Sequence, residues 1–301
     1  MPGHERGSIP ETFVLYLEGV NCGRVVSVTG GNATADVISE PPGLDHIVKK
    51  HLAGVTYEDI QVNCGIGISG HASTWLAATL NGASRRKSGS IFAVNYDGLV
   101  LRTLEFSNAL ITEVDIPAMD AYSKDLVAFM TVKLTPELTR FSQGGGKVPL
   151  LAEDERAKVW LPRNFKLGID GLDCTKVIHI DPFPITWTFA SANVGEQRDF
   201  EKEPLQLHVP NLKVTTLSSG GHAQSWYNWY EDFVVKGNNG ADKLKNGTLT
   251  FLTEDLKTIL AEIAFFNLGI FRLAQSLSEE EVTAEMFCER VELRIAPRLG
   301  L

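Results

Sequence analysis

Apolar and polar residues alternate along most of this chain, and the alternation is interrupted twice by a short helix. Over residues 55–64, Glu58, Ile60, Val62 and Cys64 fall on one face and Tyr57, Asp59, Gln61 and Asn63 on the other. That period of two predicts one half-buried antiparallel strand. The period lengthens over 70–81, where Trp75, Leu76, Thr79 and Leu80 share a face. This predicts a helix, with Ser69 placed to cap it and Gly82 to stop it. Before it, strands are expected at 13–18, 25–29 and 33–38, the last two closing a hairpin over Gly30-Gly31-Asn32, and residues 39–54 read as a long loop. After it come 90–96 and 99–106, joined through the hairpin dipeptide Asp97-Gly98, and then 109–115 and 128–135.

The plan then starts again. Gly70-His-Ala-Ser-Thr-Trp75 returns as Gly221-His-Ala-Gln-Ser-Trp226, opening a second helix over 222–235 that stops at Gly237. Phe13-Val-Leu-Tyr-Leu-Glu-Gly-Val-Asn-Cys22 lies over Phe165-Lys-Leu-Gly-Ile-Asp-Gly-Leu-Asp-Cys174, and Lys87-Ser-Gly-Ser-Ile91 over Lys245-Asn-Gly-Thr-Leu249. Phe106-Ser-Asn108 lies over Phe265-Phe-Asn267, and Val132-Lys-Leu134 is matched with Val291-Glu-Leu293. The order is kept while the spacing drifts between strands, as loop insertions in one copy of a duplication would make it. The second half is expected to have strands at 165–169, 176–180, 185–189, 207–217, 248–252, 258–265, 269–273 and 288–295, with 190–206 as a charged counterpart of the long loop. The expected fold is mainly β (α+β): two tandem β-sandwich or half-barrel units, each with one short α-helix. The boundaries are an N-terminal arm 1–12, a first unit 13–143, a linker 144–164 and a second unit 165–297.

Composition narrows the function. The 301 residues are 44% hydrophobic and 22% charged, with a net charge of −9. Residues 1–150 carry 12 basic and 15 acidic side chains and residues 151–301 carry 16 and 22, so neither half offers the basic stripe that wraps nucleic acid. The longest apolar runs are short and interrupted by charge, so no membrane insertion is expected. The start, Met1-Pro-Gly-His-Glu-Arg-Gly7, lacks the apolar core of a secretory leader. Cytoplasmic synthesis with reduced cysteines is the expectation. Cys22, Cys64, Cys174 and Cys288 have no CxxC spacing, and no metal is expected.

Gly65-Ile-Gly-Ile-Ser-Gly70 is a literal GxGxxG between a strand and a helix, with Asp97 at a distance a ribose ligand could use. The alternating strand before it argues against a dinucleotide site, since such strands are buried on both faces. The second half has Ser218-Ser-Gly-Gly221 there instead. His71 and His222 are equivalent first-turn residues without further ligands in spacing. Trp226, Trp229, Tyr230 and Phe233 form a stripe at helical spacing, read as core or subunit interface. No catalytic constellation recurs in both halves, and neither enzyme activity nor a cofactor is expected.

Taken together, these motifs resemble the tail-tube protein family of contractile phages and phage-like contractile injection systems. The resemblance rests on Phe13-Val-Leu-Tyr-Leu-Glu-Gly19, Trp75, Lys87-Ser-Gly-Ser-Ile91, Asp97-Gly98 and Phe106-Ser-Asn-Ala109, and less fully on 165–295. It departs from the family at Leu110-Ile111, where an aromatic or proline is usual, and at Asn267-Leu-Gly269 and Asp255-Leu256. The family's fold is a β-sandwich with one helix, six copies of which close into rings that stack as a hollow tube. The resemblance implies three chains per pseudo-six-fold ring here, with sheath, neighbouring tube or baseplate hub and spike proteins as partners and DNA or protein cargo passing through the lumen. It also implies assembly in the cytoplasm and a final place in a tail or injection particle. Pro41, Pro42, Leu44, Ile47, Val48, Trp75, Trp226 and Trp229 become the candidate subunit or ring contacts. The rival readings are a two-domain adaptor that forms no ring, and a nucleotide-binding enzyme using Gly65–Gly70.

Overall fold

A computed structural model describes residues 12–42, 46–66, 68, 70–124, 127–149, 160–193, 200–275 and 280–295. The expected N-terminal arm up to residue 11, the cap Ser69, Leu44 and Gly67 lie outside the described residues. The first half runs β1 (Thr12–Leu17), β2 (Val20–Val25), β3 (Ser27–Gly30), β4 (Ala33–Ser39), β5 (Lys50–Tyr57), β6 (Ile60–Cys64), α1 (Gly70–Leu80), β7 (Lys87–Val94), β8 (Val100–Ile116), β9 (Met119–Asp120), β10 (Met130–Thr135) and β11 (Leu138–Gln143). The second half continues with β12 (Phe165–Ile169), β13 (Val177–Ile180), β14 (Phe183–Asn193), β15 (Phe200–His208), β16 (Leu212–Leu217), α2 (Gln224–Tyr230) with a π-helical turn Glu231–Val235, β17 (Lys245–Leu252), β18 (Ile259–Gln275) and β19 (Glu281–Ile295). All pairings are antiparallel. Among the described residues one sheet is ordered β2-β1-β7-β8-β10-β6-β3, with β11 and the β14–β15 pair branching from β8, a second is ordered β12-β17-β18-β19-β16-β13-β9, and β4 and β5 form a third. The protein is mainly β, with one short α-helix in each half.

The two halves share register as well as order. Leu17 faces Gly89, which faces Phe106, and in the second half Ile169 faces Gly247, which faces Phe265. Glycine is required in this row: a Cβ on Gly89 would lie 2.3 Å from the Tyr16 carbonyl oxygen and 2.7 Å from the Phe106 ring. One step later both halves carry the same bulge. Asn108 and Asn267 sit at φ 50 and 59, the left-handed region that few side chains other than Asn tolerate. Each is held the same way. The Asn108 N–H donates to Ser88 Oγ at 3.1 Å and its side-chain amide to Glu137 Oε2 at 2.7 Å. The Asn267 N–H donates to Asn246 Oδ1 at 3.3 Å and its amide to Glu289 Oε2 at 2.7 Å.

Several expected elements are redrawn by the pairing. The strands flanking Gly30-Gly31-Asn32 do not form a hairpin, because β3 pairs with β6 and β4 with β5. The chain leaves the sheet at Gly30, where the Asp59 carbonyl oxygen would lie 2.0 Å from a Cβ. For the same reason the single strand expected over 55–64 is two, broken at Glu58-Asp59 where the chain returns. The expected loop 39–54 joins the arms of a hairpin, β4–β5, with 50–54 belonging to β5, and much of 190–206 is hairpin arm, β14–β15. The pairs expected at 99–106 with 109–115 and at 258–265 with 269–273 are single strands of 17 residues bent at the asparagine bulges. The match of Val132 with Val291 is also displaced. Val132 faces Val62 and Val114, whereas Ala284 faces Val214 and Leu273. The true counterpart of Val132 is Ala284, because the connection before β19 is shorter than the one before β10.

Burial of the helix stripe is what fixes each half. Trp75 and Trp226 are 4% and 0% exposed and Trp229 is 7% exposed, so all three are core residues of their own half, not surface contacts. The indole N–H of Trp75 donates to the Arg85 carbonyl and that of Trp226 to the Asp173 carbonyl, tying each helix to a neighbouring loop. The bulge yields a stability prediction. Asn108→Ala and Asn267→Ala should each cost about 1–3 kcal/mol, from left-handed strain plus lost hydrogen bonds, and the Gly substitutions should cost less. Urea unfolding of the four variants would check the ranking, and equal losses for Ala and Gly would refute the strain component.

Candidate assembly surfaces

The halves are joined through their sheets. β8 outlasts its partner β7, and its last residues pair with β14 on the edge away from β10: Ile116 faces Phe183, Asp115 faces Pro184, Val114 faces Ile185 and Glu113 faces Thr186. Just beyond, β9 crosses to the other sheet, where Met119 faces Ile180. Ile116, Met119, Phe183 and Ile185 are all buried in one apolar core that spans both halves. The helix of the first half takes part as well. The Trp187 indole N–H donates to the Thr79 carbonyl at 3.3 Å, and the Leu293 N–H donates to Asn81 Oδ1 at 3.1 Å. Asp115 at this joint has its carboxyl pushed up by burial and by the neighbouring Glu113.

Two polar devices recur with altered chemistry. Beside α1, Lys87 donates to Glu18, which is also 3.2 Å from His71. In the second half Lys245 donates to the Asp170 carbonyl, and His222 pairs with Asp173 at 2.8 Å. At the far end of the long strands, Glu113 pairs with Lys133 at 2.8 Å, and at the equivalent place Arg272 pairs with Glu285 at 2.7 Å. The same bridge is therefore built with its charges exchanged.

The β4–β5 hairpin stands away from the core. Val37, Ile38 and Leu52 on its arms are exposed, as are Pro41, Pro42, Ile47 and Val48 around its tip. Of the sequence-derived contacts, these four therefore lie on an apolar projection, while the three tryptophans are internal. The residues of the joint were not singled out from sequence. Their alternating pattern looks like that of any half-buried strand, and only the pairing shows which edge they complete.

The candidate chemistry does not assemble. Next to Gly65–Gly70, β6 is flanked by β3 and β10, both antiparallel, so the crossover of a dinucleotide fold is not formed there. A Cβ on Gly65 or Gly70 would meet open space, so neither glycine serves a close backbone approach. A cleft of about 370 Å³ lies against the start of α1, lined by Glu18, His71, Arg85, Arg86 and Lys87 among others. Its charges are largely engaged, Arg86 with Glu137 and Lys87 with Glu18. Among the described residues no three His, Cys, Asp or Glu side chains are grouped to hold a metal ion, and no helix is long and apolar enough to cross a membrane.

Residues 12–139 match the family model of the T4-like virus tail tube protein gp19. Among solved structures, the chain is similar to one in the PVC sheath–tube complex of an extracellular contractile injection system in the extended state. Identity there is 22%, over 46% of this chain and 94% of that one, with a TM-score of 0.39. It is also similar to the tube-terminating cap of the anti-feeding prophage (19% identity, 48% and 94% covered, TM-score 0.39). A third match is in the six-fold symmetrised baseplate of that particle (16% identity, 47% and 98% covered, TM-score 0.40). No curated protein matches the chain.

Acid should loosen the Asp173 loop beside α2 and the Thr253–Thr258 turn. Hydrogen bonds from the Thr175 hydroxyl, then His222 and the Thr175 N–H, hold the Asp173 carboxyl down at about 2. The Thr253 hydroxyl and the N–H groups of Lys257 and Thr258 do the same for Asp255. A carboxyl depressed in the folded state stabilises fully above its unfolded value, roughly 4, and loses that contribution as pH falls toward the folded value. The melting temperature is therefore expected to fall between about pH 4 and pH 2, and Asp173→Asn should flatten that fall. An unchanged slope in the variant would refute this assignment.

Proposed function

We propose, for a chain that is a tail-tube component of a contractile phage tail or injection particle and structural rather than catalytic, that three copies close into a ring of six tube units. The observation carrying this reading is the repeated register, with its glycine row and asparagine bulge, in both halves. One chain thus supplies two units, 13–143 and 165–297, connected through 144–164. Head-to-tail contacts between two different, complementary flanks close into a ring when the rotation from unit to unit closes.

Units that alternate around the ring give its faces three-fold rather than six-fold character. The apolar β4–β5 hairpin, with Pro41, Pro42, Ile47 and Val48, alternates with a second hairpin whose segment 190–206 is rich in charge. That alternation suits a ring standing between a three-fold hub or spike and six-fold tube rings. The hairpins would make the ring-to-ring contacts, sheath would lie outside, and DNA or protein cargo would pass through the lumen without being specifically bound. Native mass measurement with negative-stain imaging tests this. Trimers with a six-fold outline, alone or stacked, are expected. A protein that stays a single chain at tens of micromolar at every salt concentration would overturn the ring and favour a two-domain adaptor.

A further inference from the structure

We infer that the joint inside the chain is also the joint between chains: the end of β18 in one copy takes the start of β4 of the next copy as an added antiparallel strand. This rests on the ring reading and specifies its interface.

The repeat maps one side of the internal joint onto each outer flank. Glu113–Ile116 corresponds to residues 272–275, because Glu113 faces Lys133 as Arg272 faces Glu285, and each follows a bulged residue, Thr112 or Phe271. Phe183–Thr186 corresponds to residues 31–34. Ser27 faces Asn63 as His179 faces Thr215, and Thr34 faces Thr56 as Thr186 faces His208. At the internal joint these two segments pair. On the outer flanks, among the described residues, β18 beyond Leu268 has a partner only in β19, and β4 has one only in β5. Each flank therefore leaves one edge of backbone donors and acceptors unpaired, which natural sheets seldom leave open.

Side-chain exposure follows the same map. Ile185 and Val114 are buried at the internal joint, whereas their counterparts Ala33 and Leu273 are exposed and half-exposed. Leu293, 2% exposed where its N–H meets Asn81, corresponds to Phe141, which is 55% exposed. The strand positions agree, since Leu293 faces Ile263 as Phe141 faces Leu104. Asn81 corresponds to Asp232 in the π-helical turn, and a carboxylate can accept from the Phe141 N–H as the Asn81 carbonyl does from Leu293. Size is exchanged as well. Trp187 lies on the α1 residue Thr79, while the corresponding pair is Ala35 with Tyr230, a small side chain on the hairpin and a large one on the helix. Exposed Val235 lies in the same π-helical turn as Asp232 and adds apolar surface for Phe141. A second copy of this chain matches both flanks, one offering the strand and the other receiving it.

The full-length Ala33→Cys/Leu273→Cys variant tests the register. Mild oxidation should yield covalent species of two and three chains that collapse on reduction, with the 33–273 disulfide found between chains by peptide mass mapping. Neither single variant should give the ladder. Phe141→Asp, at an exposed site, should shift the protein from rings to single chains while leaving its melting temperature within a few degrees. Rings in the unmodified protein, together with no cross-link in the double variant and intact rings in Phe141→Asp, would overturn this joint and leave the ring standing. Absence of rings from the unmodified protein, with no cross-link, would overturn both.

Discussion

The backbone of β8 must find hydrogen-bond partners for 17 residues, and its own half supplies them on both edges for only part of that length. Buried N–H and C=O groups cannot be left unpaired without a cost comparable to a lost hydrogen bond. The last residues of β8 carry Val114 and Ile116 into the core, so water cannot satisfy the outer edge there. The second half supplies β14 at that place and sends Phe183 and Ile185 into the same core. The same pairing brings Trp187 of β14 onto α1.

The asparagine bulges decide how far each long strand can run before it turns. An extra residue in one strand bends it and increases the local twist, so the front of β8 and of β18 serves one set of neighbours and the end serves another. Retention of the bulge, its hydroxyl or amide partner and its glutamate acceptor in both halves shows that the bend is tightly specified. The sequences around it have diverged to the point of exchanging the charges of the Glu113–Lys133 bridge.

Much of this was legible in the sequence. The alternation, the helix stripes, the Asp-Gly turn and the duplicated motifs carry fold class and tandem plan, because they reflect local periodicity. What was not legible depends on which strand lies beside which. Gly30-Gly31-Asn32 has the composition of a hairpin turn, yet it is an exit from the sheet, set by the approach of Asp59. Val132-Lys-Leu134 resembles Val291-Glu-Leu293 through alternation alone, and only pairing with Val62 and Val214 reveals the correct counterpart, Ala284. The tryptophans read equally well as core or contact from spacing. The choice rests on burial, which a single sequence does not display.

The covalent link between halves has a kinetic consequence. In a ring built from six separate units every joint forms by collision, and its population rises steeply with concentration. In the proposed ring of three chains every second joint would form within one folding chain, at an effective concentration independent of how much protein has been made. Such a ring of three would need far fewer encounters than a ring of six separate units. A covalent link of this kind favours closure at concentrations where six separate units of similar contact strength would still be dispersed.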